Sequence, residues 1–133
     1  MSKKRVLVVD DHDLNLKLMM YLLATEECEV DTALNAQQAL ASLRAVKPDI
    51  VLLDLQLPDM DGLSLTRLLR ADKSLDGVVI VAVTAYAMKG DEERARASGV
   101  DYYVTKPIAK DSFRKMIGKL LKADRADPSG VSA

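Results

Sequence analysis

The fold is decided by residues 50–54, Ile-Val-Leu-Leu-Asp, in which four consecutive apolar residues are followed at once by an aspartate. Three similar runs, each again followed by polar side chains, are residues 5–9 before Asp10 and Asp11, residues 78–83 before Thr84, and residues 102–105 before Lys106. Short apolar runs separated by helical stretches are typical of buried strands in a parallel sheet. Because ligands bind beyond the carboxyl ends of such strands, we expect these polar side chains to converge on one site.

The remaining pattern predicts five strand–helix repeats. Strands are predicted at residues 4–10, 29–33, 49–54, 78–84 and 101–105, and helices at residues 13–26, 35–46, 62–72, 88–98 and 110–123. This alternation predicts an α/β sandwich with helices on both faces of the sheet. Asp61 is a predicted N-cap, and Gly99 is predicted to end a helix in the left-handed conformation. One folded domain is expected over residues 1–123, followed by a disordered tail over residues 124–133.

Composition limits the classes of function. The chain has 133 residues, a net charge of −1 and one cysteine, Cys28. Without a basic field we expect no nucleic-acid partner, and the single cysteine is consistent with a reducing compartment. No run reaches the length of a transmembrane helix and no signal-peptide pattern is present, so we expect no membrane insertion and a cytoplasmic location. We expect a monomer.

The predicted site has the chemistry of a metal-assisted phosphoryl transfer. Asp10, Asp11 and Asp54 would repel one another unless a cation lies between them, and Mg²⁺ prefers such oxygen ligands. We expect Mn²⁺ to substitute. Thr84 and Lys106 suit an anion, and an aspartate can itself accept a phosphoryl group. Taken singly these residues have simpler explanations, such as a helix N-cap for Asp10 or Asp11 and a solvated charge for Lys106.

The sequence resembles the receiver domain of two-component response regulators over residues 4 to about 122. The segments that carry the resemblance are Val-Val-Asp-Asp at 8–11, Pro-Asp-Ile-Val-Leu-Leu-Asp at 48–54, Leu-Pro-Asp-Met-Asp-Gly at 57–62, Val-Thr-Ala at 83–85 and Thr-Lys-Pro at 105–107. Residues 82–94 look most like single-domain regulators of the DivK type. The resemblance implies a flavodoxin-like (βα)5 three-layer sandwich with a five-stranded parallel sheet in the order 2-1-3-4-5, an order for which this family is a standard example.

The resemblance also implies a role for each site residue. Asp54 would be the phosphoacceptor, supplied by a histidine kinase or histidine phosphotransferase. The implied Mg²⁺ ligands are Asp11, Asp54, the main-chain carbonyl of Gln56 and, through water, Asp10. Lys106 would pair with the phosphoryl group, Thr84 would move to bond it, and Tyr103 would then turn inward. The Lys106–Pro107 bond would be cis, and Gln56 and Tyr86 would set the phosphoryl lifetime.

Two other functions are compatible with parts of the pattern. A Mg²⁺-dependent phosphohydrolase also uses an aspartyl nucleophile, but Gln56 stands where such enzymes place a second acid, and we expect no enzyme activity beyond self-phosphorylation and dephosphorylation. A nucleotide-binding flavodoxin-like module would need a glycine-rich loop after the first strand, where this chain has Asp10 to Asp13. A small phosphodonor separates these cases, because a switch gains one phosphoryl group and a hydrolase turns over.

Three further features allow more than one interpretation. His12 is interpreted as a solvated loop residue, because a lone histidine lacks partners for a zinc site. Residues 89–96 form a weakly amphipathic helix that is either simply solvated or loosely held enough to shift when Thr84 moves. Tyr102 stands beside Tyr103, and since the two rings face opposite sides of a strand only one can follow Thr84; position favours Tyr103.

The first helix carries more apolar residues than one stripe needs. Its periodicity predicts that Leu16, Met19, Met20 and Leu23 face the sheet and that Leu14, Leu18 and Tyr21 face solvent. The exposed three form a docking patch for a helical phosphodonor, or are ordinary scattered surface hydrophobics.

Overall fold

A computed structural model describes residues 4–85 and 90–122. Its strands are β1 (Lys4–Val9), β2 (Cys28–Ala33), β3 (Ile50–Asp54), β4 (Val79–Thr84) and β5 (Tyr102–Thr105). Its helices are α1 (Asp13–Leu23), α2 (Ala36–Ala45), α3 (Gly62–Ala71), α4 (Asp91–Ser98) and α5 (Lys110–Lys122), with a short 3-10 turn at Lys73–Leu75. All five predicted strands and helices are therefore confirmed, with ends that differ by up to three residues. The predicted tail at 124–133 lies outside the described residues.

The strands form one parallel sheet in the order β2-β1-β3-β4-β5, as the resemblance implied. Side chains alternate across this sheet and build a core on each face. One core joins Leu7, Leu53 and Ile80 to α2, α3 and α4, and the other joins Val8 and Leu52 to α1 and α5. The three inner strands are buried on both sides, which explains their continuous apolar runs.

Helix ends follow the predicted caps with one exception. The Asp61 carboxylate accepts the Leu63 N–H at 3.2 Å, and Gly99 has φ of 115° in the left-handed region. Helix α1, however, ends at Leu23 and not at residue 26. A tight turn follows, in which the Glu26 N–H bonds to the Leu23 carbonyl at 2.9 Å. No glycine is available there to extend the helix into a left-handed cap.

Among the described residues, no helix has the length and apolar composition needed to cross a membrane.

Candidate functional site

The carboxyl ends of the central strands bring the predicted acidic residues together. Asp10 and Asp11 follow β1, Asp54 is the last residue of β3, and these two strands are neighbours in the sheet. One ligand atom from each of Asp10, Asp11, His12 and Asp54 lies within 4.8 Å of all the others. Asp10 and Asp54 are buried, whereas Asp11 is open to solvent. The predicted convergence of three carboxylates from two strands is therefore confirmed.

Lys106 reaches the same cluster from β5. Its Nζ lies 3.2 Å from Asp54 Oδ2 and 3.5 Å from Asp10 Oδ2. Its main-chain N–H donates to the Thr84 carbonyl at 2.7 Å, which joins the ends of β4 and β5. The Lys106–Pro107 peptide bond is cis, as predicted. One ammonium group therefore faces two buried carboxylates, with buried Thr84 at the end of the intervening strand.

The electrostatics at Asp54 favour a bound cation. Burial is the largest influence and raises the pKa of the Asp54 carboxyl, and the nearby charge of Asp10 raises it further. The Gln56 N–H, which donates to Asp54 Oδ1 at 2.9 Å, and the Lys106 ammonium act in the opposite direction without cancelling the rise. Burial and the neighbouring carboxylate therefore disfavour the ionised form of Asp54, which a bound cation would stabilise.

His12 is a solvated loop residue, as predicted, but its ring also lies against this cluster. Its ring is 60% exposed, yet Nδ1 lies 3.1 Å from Asp11 Oδ1, 3.3 Å from Asp10 Oδ1 and 3.7 Å from Asp54 Oδ2. Its main-chain N–H also donates to Asp10 Oδ1, at 2.8 Å. His12 occupies the N-cap position of α1 but makes no side-chain cap bond. The bond from the main-chain N–H to Asp10 orients the loop, and the imidazole Nδ1 faces the carboxylates.

The loop after β3 is held by close backbone packing. A Cβ at Gly62 would lie 2.5 Å from the Leu55 Cα, so only glycine allows α3 to begin this close to the strand. Gln56 pairs with Asp61 across the loop, and its side chain is exposed. The metal-binding role of the Gln56 carbonyl remains a prediction.

Asp59 ties the same loop to helix α2, a contact that the sequence analysis missed. Its two carboxylate oxygens accept the N–H groups of Ala36 and Gln37 at 2.8 and 3.0 Å. These bonds, the one to Ala36 foremost, lower the pKa of the Asp59 carboxyl. An aspartate within Leu-Pro-Asp-Met-Asp-Gly gives no sign of a partner more than twenty residues away, so the contact became visible only in three dimensions.

The register of β4 and β5 separates the two tyrosines. Tyr103 pairs with Ala82 and Thr105 with Thr84, so Tyr103 and Thr84 share one face of the sheet. Tyr102 is on the opposite face and is largely exposed. Burial, with the charges of Asp91 and Glu92, raises the pKa of the Tyr103 hydroxyl.

Beside the Tyr103 ring lies a cavity of about 190 Å³, lined also by Leu55, Asp61, Leu63, Asp91 and Arg94. Of the two tyrosines, only Tyr103 lies on the same face of the sheet as Thr84 and lines this cavity, as the switch prediction requires.

Tyr86, predicted to tune hydrolysis, lies outside the described residues. Of the eight residues of α4, only Ala95 and Ser98 are buried, which agrees with a loosely held helix.

The predicted exposure of apolar side chains on α1 is confirmed at two of three positions, and their docking role stays a prediction. Leu14 is 80% exposed and Tyr21 63% exposed, with the Arg114 guanidinium 5.9 Å from the centre of the Tyr21 ring. Leu18 is half-buried against the α1–α5 core, so its predicted exposure was wrong. Met20, predicted to face the sheet, is 44% exposed.

Both errors have one cause. The buried residues of α1 are Leu16, Met19, Leu22 and Leu23. Helix α1 packs against α5 as well as against the sheet, so its buried stripe is turned toward Leu18 and Leu22. Periodicity within one helix cannot show where a neighbouring helix lies.

The donor set fits a divalent cation. Three carboxylates within reach of one point are the ligands that Mg²⁺ takes in proteins, and two of them are held in place by burial. Asp11, Asp54 and Asp10 would hold the ion, with the exposed side of the cluster open to water and to phosphate oxygens.

Comparison with known proteins agrees with this site. The family model described as the response regulator receiver domain matches residues 6–118. The polar-differentiation response regulator DivK of Brucella anthropi is 41% identical over 118 residues, which are 89% of this chain and 96% of that protein. DivK of Brucella ovis is 40% identical over the same shares of both chains.

Solved structures show the same architecture. The receiver domain of the sensor histidine kinase PA1611 from Pseudomonas aeruginosa superposes with a TM-score of 0.80 at 28% identity, covering 90% of this chain and 98% of its own. That structure has a magnesium ion coordinated in its active-site cleft. A CheY-like receiver protein from Methanospirillum hungatei, 33% identical, gives a TM-score of 0.78 and covers 90% and 94% of the two chains. In sequence, sheet order and acidic cluster, this chain belongs to the response regulator receiver domain family.

Proposed function

We propose that this protein is a single-domain response regulator that accepts a phosphoryl group on Asp54 from a histidine kinase or histidine phosphotransferase. The observation that carries the proposal is the contact of Lys106 Nζ with Asp54 Oδ2 at 3.2 Å, inside a cluster of three carboxylates at the strand ends. The output is either docking of the phosphorylated surface onto another protein or onward transfer of the phosphoryl group.

The reaction follows from the placement of these groups. A carboxylate oxygen of Asp54 attacks phosphorus in line with the donor nitrogen, the P–O bond forms, the P–N bond breaks, and the donor imidazole leaves with its electron pair and takes a proton. Mg²⁺ held by Asp10, Asp11 and Asp54, or Mn²⁺ in its place, would neutralise phosphoryl oxygens when bound. Lys106 already lies beside Asp54 and offers its ammonium to a phosphoryl oxygen. Burial of Asp54 fixes the nucleophile and limits competing water.

The same arrangement supports a switch at Thr84 and Tyr103. Thr84 ends β4, and its carbonyl is bonded to the backbone of Lys106. When Thr84 turns to bond a phosphoryl oxygen, space opens on the face it shares with Tyr103, and Tyr103 turns inward. This moves the surface of α4, β5 and α5, which is a two-state change driven by a local charge. Because only two residues of α4 are buried, moving this helix disrupts little core packing.

Labelling with a small phosphodonor tests the proposal. Acetyl phosphate with Mg²⁺ should add one acid-stable, base-labile phosphoryl group per chain, and Asp54→Asn should add none. Asp76→Asn, which removes an exposed carboxylate elsewhere, is the matched control and should label normally. Continuous turnover of the donor without a stable label would identify a phosphohydrolase instead, and equal labelling of Asp54→Asn would place the acceptor elsewhere.

The exposed residues Leu14 and Tyr21 are the proposed docking surface for the protein donor, since both are exposed on α1, the helix that begins beside the site. Leu14→Asp is the cleaner probe, because Leu18 contributes to the core. We expect it to slow transfer from a histidine-containing donor protein while labelling by acetyl phosphate continues. Leu68→Asp, an equally apolar exposed position on α3, is the control. Slowing with both donors would indicate a folding defect, and no slowing would remove the patch.

Water access sets the lifetime of the phosphorylated form. Neither Gln56 nor Tyr86 carries a good general base, so attacking water receives little help. We propose a lifetime of minutes or longer, which loss of label from the isolated phosphoprotein measures directly. Tyr86→Ala should shorten that lifetime, and an unchanged rate would show that Tyr86 does not screen the site.

A further inference from the structure

The position of His12 gives the acidic cluster a nitrogen donor. Its Nδ1 lies 3.1, 3.3 and 3.7 Å from one oxygen each of Asp11, Asp10 and Asp54. Two ligands about 2.1 Å from one ion are about 3.0 Å apart in octahedral geometry and about 3.4 Å apart in tetrahedral geometry. The imidazole therefore stands at a distance from the carboxylates that suits ligands of a shared ion.

Hard and borderline cations differ in how they use such a donor. Mg²⁺ takes oxygen ligands and keeps several waters, so it gains little from an imidazole. Zn²⁺, Co²⁺ and Ni²⁺ bind imidazole well and rank above Mn²⁺ in affinity for nitrogen-containing sites. His12 therefore affects which metal ions bind tightly, whereas every ion still needs the carboxylates.

We propose that His12 is a direct ligand for first-row transition-metal ions at this site, so that Zn²⁺, Co²⁺ and Ni²⁺ bind through Nδ1 together with the carboxylates, whereas Mg²⁺ uses oxygen atoms alone. Two observations support the assignment. The His12 N–H bond to Asp10 Oδ1 fixes the backbone, and the ring is not engaged in capping α1. The ring is 60% exposed, so it is free of packing that would prevent it from turning onto an ion. The inference rests on the proposed function only for the position of the metal.

The consequence for the protein is competition between two metal states. An ion held by His12 as well as by Asp10, Asp11 and Asp54 has fewer positions left for phosphoryl oxygens. Such an ion also holds the imidazole over Asp54, on the exposed side from which a donor must approach. Micromolar Zn²⁺ should therefore inhibit labelling by acetyl phosphate in competition with Mg²⁺.

Because His12 is the only histidine in the sequence, its ring can be observed without assignment. The full chain, prepared without a histidine tag and with ¹⁵N-labelled histidine, is titrated at pH 8 with Zn²⁺ and separately with Mg²⁺. We expect Zn²⁺ to shift the Nδ1 resonance strongly and Mg²⁺ to leave its tautomer and shift nearly unchanged. The Zn²⁺ concentration that gives half of the shift should rise in Asp11→Asn, which removes one of the ligands. An unchanged midpoint there would mean that zinc binds the imidazole away from the cluster, and no Nδ1 shift in the wild type would mean that the ring only donates a hydrogen bond; either result overturns the proposal.

Calorimetry gives the second readout. In His12→Asn we expect Zn²⁺ and Ni²⁺ affinity to fall about tenfold or more and Mg²⁺ affinity to change less than about twofold, since only the first pair loses a ligand. Asp13→Asn is the control for charge, because Asp13 is exposed and paired with Lys17 at 3.0 Å; it should weaken all ions equally and slightly. Equal losses for Mg²⁺ and Zn²⁺ in His12→Asn would refute the assignment. Failure of the wild type to label with acetyl phosphate and Mg²⁺ would instead refute the proposed function and leave these titrations unaffected.

Discussion

At the amino ends of β4 and β5, Arg70 of α3 donates hydrogen bonds to the carbonyls of Gly99 and Val78 at 2.9 and 2.8 Å and to the Asp101 carboxylate at 2.6 Å. The same Asp101 oxygen accepts the Ile80 N–H at 2.9 Å. At the carboxyl ends of the sheet, a single ammonium, Lys106, is shared by two buried carboxylates. Positive and negative groups are therefore paired at the amino ends of β4 and β5, whereas negative charge exceeds positive charge in the cluster at the carboxyl ends.

The difference separates what stabilises the fold from what the site needs. At the amino ends, one arginine joins α3 to the segments that begin β4 and β5. At the carboxyl ends, the acidic groups weaken folding, and the structure is held by backbone packing of Gly62 on Leu55 and by the Asp59 cap on α2. Four substitutions test this division, taken from the largest expected effect to the smallest.

Arg70→Met should destabilise the protein by about 2–4 kcal/mol, because it leaves the Asp101 carboxylate and two main-chain carbonyls without a charged donor. Chemical denaturation measures this loss. The folded fraction should still label with acetyl phosphate, since the substitution is at the end of the sheet away from Asp54. Arg67→Met, an exposed position on the same helix, should change stability by less than about 0.5 kcal/mol. If Arg70→Met labels poorly while it is fully folded, the two ends of the sheet do not act independently.

Gly62→Ala should cost about 1–3 kcal/mol, because its Cβ would lie 2.5 Å from the Leu55 Cα and the start of α3 must shift. It should also slow labelling, since the displaced loop carries Gln56. Gly118→Ala is the matched control: its Cβ would meet only Glu26 Oε1 at 4.0 Å, and alanine within a helix should stabilise by about 0.5–1 kcal/mol. Unchanged stability in Gly62→Ala would show that backbone packing does not hold the site.

Asp54→Asn should raise stability in metal-free buffer at pH 7 by about 1 kcal/mol, or a few degrees in Tm, because it removes one of the crowded carboxylates. The sign follows from the raised pKa of Asp54: the ionised carboxyl destabilises the fold at neutral pH, and the wild type recovers as the pH falls and the group takes up a proton. The advantage of the variant should therefore shrink on acidification. A loss of stability at pH 7 would mean that Lys106 fully offsets the repulsion among the carboxylates.

Asp59→Ala should give the smallest change, and a pH-dependent one. The pKa of Asp59 is lowered by its bonds to Ala36 and Gln37, so its stabilising effect is present above the ordinary carboxyl pKa and is lost as the pH falls through the lowered value. The stability difference between wild type and variant should be largest near neutral pH and should disappear once the pH is below the lowered pKa of Asp59. Because the group is exposed, added salt should reduce the difference. A difference that stays constant with pH would show that the carboxylate charge is not what caps α2.

Local pattern in the sequence was enough for the parallel α/β sandwich and for the edge that carries the principal site, whereas the strand order came from the family resemblance. Apolar runs of strand length followed by polar residues predicted both the parallel sheet and the edge at which Asp10, Asp11 and Asp54 meet, because the carboxyl ends of parallel strands share one edge. The Asp61 cap and the left-handed Gly99 are equally local, since each depends on side chains within one turn of the chain.

Helix orientation was decided by tertiary packing. Met20 and Leu18 exchanged their predicted environments because α5 covers one side of α1. Loop contacts were likewise decided in three dimensions, as with Asp59 on α2 and Arg70 on the starts of two strands.

By itself, then, the sequence determined the order of strands and helices, the edge of the sheet that carries the chemistry, and the residue types there, all of which follow from hydrophobic periodicity and residue spacing. Only the tertiary structure decided that His12 turns toward the acidic cluster, that Tyr103 and Thr84 share a face, and that Leu14 and Tyr21 stay exposed while Leu18 does not. Those placements depend on register and on contacts between elements distant along the chain, and no local pattern of residues encodes such contacts.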